Sequence, residues 1–185
     1  MSVRLYRVYA GIASASPGRA GHPLTVPPVQ GAGRIDNPGR YGVLYVADTQ
    51  PAAVGERFGD LRVWSTSMLA GRPYLPGSRM MLAVLRLDGA VCDLDDPDEL
   101  SRRGLRPSRV VTRDRETTQR WAREIHDEAA YAGVRWWWFW NPDWGSAGVW
   151  HTARLTVVGS EPLTLAHPAV TGAAMALDRP LRDQR

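Results

Sequence analysis

Gly42-Val43-Leu44-Tyr45-Val46-Ala47-Asp48-Thr49-Gln50-Pro51-Ala52-Ala53-Val54-Gly55-Glu56-Arg57-Phe58-Gly59 is the stretch that decides the fold, because a strand passes directly into a helix within it. The first part alternates, placing Val43, Tyr45 and Ala47 on one face of a strand and Leu44 with Val46 on the other. Asp48 or Thr49 then stands where an N-cap accepts free backbone N–H groups, and Pro51 falls in the first turn, where its missing N–H is harmless. The spacing predicts a short helix over PAAVGERF, ending near Gly59, with Glu56 in its second turn.

Working outward, residues 1–10 read as a strand with Val3, Leu5 and Arg7 on one face. Residues 79–87 and 90–94 read as two more strands, joined as a hairpin at Asp88-Gly89. Leu61, Trp64 and Met68 have the spacing of a helical turn, and Asp96-Pro97 opens a short helix through Arg103. A longer helix is expected over residues 117–132, with Trp121, Ile125 and Ala129 four apart and Gly133 as its stop. Strands over residues 134–140 and 154–158 and a helix over 168–177 complete the pattern, and loops fill 13–40, 70–78 and 141–148. The fold class expected is α+β: a single compact domain, residues 1–185, with a mixed or antiparallel sheet core and short helices.

Composition excludes several classes. With 185 residues, 44% hydrophobic and 23% charged, the chain suits one globular core and not a disordered or fibrous protein. A single cysteine, Cys92, supplies neither an internal disulfide nor a cysteine-based zinc site, which suits a reducing cytoplasm. No apolar run is long enough for a membrane span, and no export signal is expected. All 23 basic residues are arginines, as compositional drift in a GC-rich genome produces, and they are scattered along the sequence. Direct nucleic-acid binding is therefore not expected from the net charge of +4.

Familiar catalytic signatures fail. Gly31-Ala32-Gly33 lacks the third glycine and the strand–helix setting of a dinucleotide fingerprint, and a P-loop needs a lysine. His22, His126, His151 and His167 are too scattered to suggest metal ligands, so no metal is expected. Ser146, in Gly145-Ser146-Ala147-Gly148, does not meet the spacing of a nucleophile elbow.

What remains is the group Arg34, Tyr45 and Glu56. A planar guanidinium suits bidentate phosphate binding, a tyrosine ring suits a flat cationic heterocycle, and a carboxylate suits ribose hydroxyls or an oxocarbenium ion. Those are the parts of a nicotinamide dinucleotide. The same residues also read plainly as a solvated loop charge, a half-buried strand aromatic and an exposed helix acid.

The stretch Gly33-Arg34-Ile35-Asp36-Asn37-Pro38-Gly39, with Val43-Leu44-Tyr45-Val46-Ala47, Ala52-Ala53 and Glu56, resembles the signature of the RES domain family. That resemblance runs from Leu5-Tyr6-Arg7 to Tyr131-Ala132-Gly133-Val134-Arg135-Trp136. It implies an ADP-ribosyltransferase-like fold and an enzyme that degrades NAD. Carried over by position, the family's arginine is Arg34, its glutamate Glu56, its strand tyrosine Tyr45 and its early arginine Arg7. The register of the family's serine falls on Trp138, within Trp136-Trp137-Trp138, and Ser146 eight residues on is the candidate to replace it from a loop. Alternation puts Trp136, Trp138 and Trp140 on one strand face and Trp137 with Phe139 on the other. Core packing, or stacking on the adenine or nicotinamide by Trp138, would each account for that bulk.

The function this implies is cleavage of the nicotinamide–ribose bond of NAD, with Arg34, Glu56 and Ser146 catalytic and Arg7, Arg34, Tyr45 and Trp138 binding the dinucleotide. NAD is substrate here, and no cofactor is expected. The ADP-ribosyl group would pass to inorganic phosphate or water, and the resemblance further implies a toxin restrained by a protein antitoxin. Two alternatives stay open at this point: a binding domain impaired by loss of the serine, and transfer of ADP-ribose to a macromolecule.

Overall fold

In chain order the computed structural model, which describes residues 2–182, runs β1 (Ser2–Gly11), β2 (Leu44–Ala47), α1 (Gln50–Phe58), β3 (Trp64–Ser65), β4 (Arg79–Asp88), β5 (Val91–Asp93), α2 (Pro97–Arg102), α3 (Pro107–Val110), α4 (Arg115–Asp127), β6 (Gly133–Trp137), β7 (Gly145–Val149), β8 (Leu155–Pro162), α5 (Pro168–Ala176) and β9 (Leu181–Arg182). Seven strands form one sheet in the order β5-β6-β7-β2-β1-β4-β8, and β3 pairs with β9 apart from it. Within the sheet only β5 and β6 run parallel. The α+β class with a mixed sheet and short helices is thus the fold observed.

The decisive stretch folds as its residues dictate. Thr49 is the N-cap of α1, its hydroxyl accepting from Ala52 N at 3.2 Å, and Gly59 closes the helix. Ala52, Val54 and Phe58 of α1 are buried with Val170 and Ala173 of α5, Leu82 of β4 and the partly buried Tyr6 and Val8 of β1. Leu5, Tyr9, Leu44, Met81 and Leu85 form a second cluster, covered by Leu24 and Val26 of the long segment between β1 and β2. Trp121 and Ile125, one turn apart on α4, are buried with Cys92, Val134 and Trp136, which anchors the β5–β6 end of the sheet.

Four sequence expectations are corrected. β4 and β5 do not form a hairpin: Gly89, at φ +154°, carries the chain out of β4, and β5 pairs in parallel with β6 across the sheet. Burial of Cys92 and Leu94 beneath α4 outweighs the local turn signal there. The α4 helix stops at Asp127, with Ala129 at φ +55°, and Gly133 opens β6 instead of ending a helix. Trp64 lies in β3, and only Thr66–Leu69 makes a 3₁₀ turn. Finally, Gly145–Val149 is not loop but a wholly buried strand between β2 and β6, so Ser146 sits in the sheet.

β6 and β7 approach each other closely at Gly133 of β6. A Cβ on Gly133 would meet the backbone carbonyl oxygen of Gly148 closer than carbon and oxygen approach, and it would lie 3.1 Å from Val149 Cα. Backbone has no rotamer to relieve that clash. Gly133→Ala is therefore expected to destabilise the protein by about 1–3 kcal/mol, as overpacking in a core does. Urea unfolding monitored by tryptophan fluorescence checks this, and an unchanged midpoint would show that β6 and β7 separate freely.

Candidate active site

Two elements meet at one hydrogen bond. α1 delivers Glu56 and β7 delivers Ser146, whose hydroxyl donates to Glu56 Oε2 at 2.9 Å. Ser146 is 2% exposed, and its strand neighbours are Ala47 of β2 and Trp136 of β6. Glu56 is exposed to a cleft of about 520 Å³, and the protein atoms packed on one side of its carboxyl take water away from it there. That desolvation raises the Glu56 pKa above the ordinary carboxylate value, against the opposing effects of the Ser146 hydroxyl, the Arg34 charge and the Trp138 indole, with Asp60 adding to the rise.

Arg34 reaches the same cleft from the turn before β2. Its Nη1 donates to the carbonyl oxygens of Val110 and Thr112, each at 2.8 Å, which ties this turn to the end of α3. Burial, then the neighbouring Arg115, lowers the Arg34 pKa, while Glu56 and Tyr45 oppose the shift. Tyr45 fixes the turn from below: its hydroxyl donates to Asp36 Oδ1 at 2.7 Å and accepts from Ile35 N at 3.1 Å. Asp36, 4% exposed, uses its other oxygen to accept from Gly31 N and Gly33 N. Burial pushes the Tyr45 phenol far above its usual range, so it stays a neutral donor.

The structure thus brings Arg34, Tyr45, Glu56 and Ser146 together and places the other expected residues differently. Arg7 does not line the main cleft. It donates to the carbonyl oxygens of Pro23 and Thr25, pinning the β1–β2 segment, and burial lowers its pKa to about 10 although Tyr9 opposes the shift. It borders a second cavity of about 260 Å³ that shares Tyr45 and Glu56 with the first. Trp138 is 8% exposed, stacks on Trp144 at 5.4 Å, and lies over Gly55 and Gly59 so closely that any Cβ there would strike its ring. It is a packed wall of the cleft behind Glu56. The hydroxyl on Glu56 is that of Ser146, presented from a strand and not from the loop expected for it.

Sequence reasoning missed the rim. Arg113 and Arg115, flanking the Asp114 N-cap of α4, line the cleft, as do Phe139 and Trp140 beyond the end of β6. The two aromatics are 50% and 47% exposed and pack edge to face, with Arg113 lying over the Phe139 ring. A signal existed for them: Asn141-Pro142 directly follows Trp140, and a turn there ends the strand before Phe139 and Trp140 can be covered. Three guanidiniums and exposed rings around two carboxylates, Glu56 and Asp60, give a cleft suited to a phosphorylated ligand carrying a flat base. Among the described residues no helix is long and apolar enough to cross a membrane.

The comparisons with known proteins follow the same lines. A family model described as RES domain matches residues 4–139, ending short of Ser146. Among solved structures, the chain is similar to one in the crystal structure of the M. tuberculosis MbcT-MbcA toxin-antitoxin complex, with a TM-score of 0.59 and 19% identity, covering 90% of this chain and 86% of that one. At that identity the likeness shows a shared fold. No curated protein matches the chain.

Proposed function

The chain belongs to the RES domain family, and from that premise we propose that it is an NAD-consuming enzyme that breaks the nicotinamide–ribose bond and passes the ADP-ribosyl group to inorganic phosphate or water. The observation that carries this reading is the Ser146–Glu56 hydrogen bond at the wall of an arginine-rimmed cleft. When the bond breaks, its electron pair leaves with neutral nicotinamide and positive charge develops on the ribose ring. An anion beside that ring, held in place and partly shielded from water, stabilises the transition state. Glu56 supplies it, and Ser146 holds one carboxylate oxygen in place. Arg34, with one nitrogen spent on α3, turns the rest of its guanidinium to the pyrophosphate, and Arg113 and Arg115 add positive charge at the rim. Trp140 and Phe139 suit a base at the open end.

The impaired-enzyme alternative rested on a tryptophan in place of the serine, and the hydrogen bond from Ser146 to Glu56 supports the active reading over it. The similar solved structure is of a toxin–antitoxin complex, which supports reading this chain as the toxin of such a pair, with a protein antitoxin as partner in the cytoplasm. The purified protein is expected to deplete NAD, releasing nicotinamide. A product of ADP-ribose 1-phosphate that appears only with phosphate marks phosphorolysis, free ADP-ribose marks hydrolysis, and label transferred to protein or nucleic acid marks macromolecular transfer. NAD left intact under all three conditions overturns the reading.

A further inference from the structure

Ser146 and Glu56 lie on different elements, and one residue touches both. Asp48 stands between β2 and the Thr49 cap of α1, the helix that carries Glu56. Its backbone N–H donates to Gly145 O at 3.1 Å, and its Oδ2 accepts from Gly145 N at 2.9 Å. Both polar groups of the residue just before Ser146 are therefore held by Asp48. Arg135 of β6 donates to the same Oδ2 at 3.1 Å, and its other terminal nitrogen donates to Asp93 at 2.9 Å and Asp95 at 3.2 Å. Gly145 has no room for a side chain, since a Cβ would fall on Asp48 Oδ2 and the Arg135 guanidinium.

This network is poorly placed to serve stability. The Asp48, Arg135, Asp93 and Asp95 side chains are 28%, 27%, 46% and 51% exposed, a range in which ion pairs contribute little. One arginine faces three carboxylates, and Asp48 keeps a buried Oδ1 without a partner, an arrangement a purely structural role would not favour. What the network does fix is the start of β7 relative to the start of α1. Resting on the active-site reading above, we infer that Asp48, oriented by Arg135, is a positioning residue that sets the Ser146 hydroxyl on the Glu56 carboxylate. It contacts neither substrate nor the reacting atoms.

The test uses Asp48→Ala, Asp48→Asn and Arg135→Lys beside Ser146→Ala, with two readouts. The first needs no substrate: the Glu56 carboxyl is titrated by carbon NMR in each folded variant. Arg34 from the turn before β2, Tyr45 from β2, Ser146 from β7, Trp138 beyond β6, Asp60 beyond α1 and the rim residues Arg113 and Arg115, with Arg57 and Arg7 at the second cavity, all face Glu56. Of these, Asp48 reaches only Ser146, through Gly145. Asp48→Ala is expected to move the Glu56 midpoint upward toward that of Ser146→Ala, because the lost hydroxyl donor had favoured the carboxylate. Asp48→Asn, whose carbonyl still accepts from Gly145 N and whose amide takes the place of the unpartnered oxygen, is expected to restore most of the shift. Arg135→Lys, which keeps one contact to Asp48, is expected to fall between.

The second readout is NAD turnover. Asp48→Ala should lower kcat by about 10- to 100-fold with KM little changed, as small misplacements of a reacting group do, and should cost nothing further in the Ser146→Ala background. An unmoved Glu56 midpoint in folded Asp48→Ala, or an equal loss in both backgrounds, overturns the proposal. If wild type consumes no NAD, the functional reading falls, while the titration still decides whether Asp48 positions Ser146.

Discussion

Glu56→Gln is expected to lower kcat for NAD cleavage by on the order of 10³-fold, the loss typical of removing one preorganised electrostatic group from an active site. The substitution keeps the shape of the side chain and lets Ser146 still donate to the remaining carbonyl oxygen, so binding of NAD should survive. The wild-type pH profile should carry the same signature. Desolvation raises the Glu56 pKa, and the ionised form is the one that faces the ribose cation. Activity should therefore climb with pH through a midpoint above the ordinary glutamate value of about 4.3, and Glu56→Gln should lack that limb.

Stability should move in the opposite direction. A carboxyl whose folded pKa is raised binds more protons folded than unfolded between the unfolded and folded values, so stability falls as pH rises across that window. Above it the wild type carries an ionised group in a crowded site, and Glu56→Gln should melt higher at neutral pH. Activity lost together with a raised Tm identifies a functional group retained at a cost to the fold. Activity lost with a lowered Tm would make Glu56 a structural partner of Ser146. Melting curves at acidic and neutral pH separate the two.

How much of this was legible beforehand divides along physical lines. The β2–α1 unit could be read because its signals are local: alternation over Val43 to Ala47, a Thr49 cap, a first-turn proline. Arg34, Tyr45 and Glu56 lie on that unit or just before it, so the same local stretch exposed them. β7 could not be read. Gly-Ser-Ala-Gly-Val has weak strand propensity, and it is a strand because Trp136 of the preceding strand and Ala47, far away in sequence, pair with Ser146 from both sides. The glycines that hide it from a propensity reading leave room for side chains packed onto the strand, Asp48 and Arg135 at Gly145 and Ile35 at Gly148. β5 reads as a strand but with the wrong partner, for the related reason that Asp88-Gly89 signals a turn and not which strand the next one pairs with. The rim arginines, scattered in sequence, converge only when the α3–α4 connection is folded against the Arg34 turn.

That convergence makes Arg34→Lys the second substitution with a large effect. The guanidinium does two things in different directions: Nη1 holds Val110 O and Thr112 O, and the rest of the group faces the cleft. A lysine ammonium is a single point donor and cannot serve the α3 carbonyls and a phosphate at the same time. If it stays on the carbonyls, the dinucleotide loses a charged hydrogen bond, and the KM for NAD should rise by about 10- to 100-fold, the equivalent of roughly 1.5–3 kcal/mol. If it swings to the phosphate, the end of α3 loses its tie, and Tm should fall while KM moves little. Inorganic pyrophosphate as a competitive inhibitor distinguishes these outcomes, since weakened inhibition in Arg34→Lys at unchanged Tm places the guanidinium on the pyrophosphate. Unchanged KM, Tm and inhibition together would remove Arg34 from both roles. Arg115 is the internal control. It lies close enough to Arg34 to lower its pKa, so Arg115→Ala should weaken NAD binding by less than Arg34→Lys does. A larger loss would mean that the rim, and not the turn before β2, holds the phosphates.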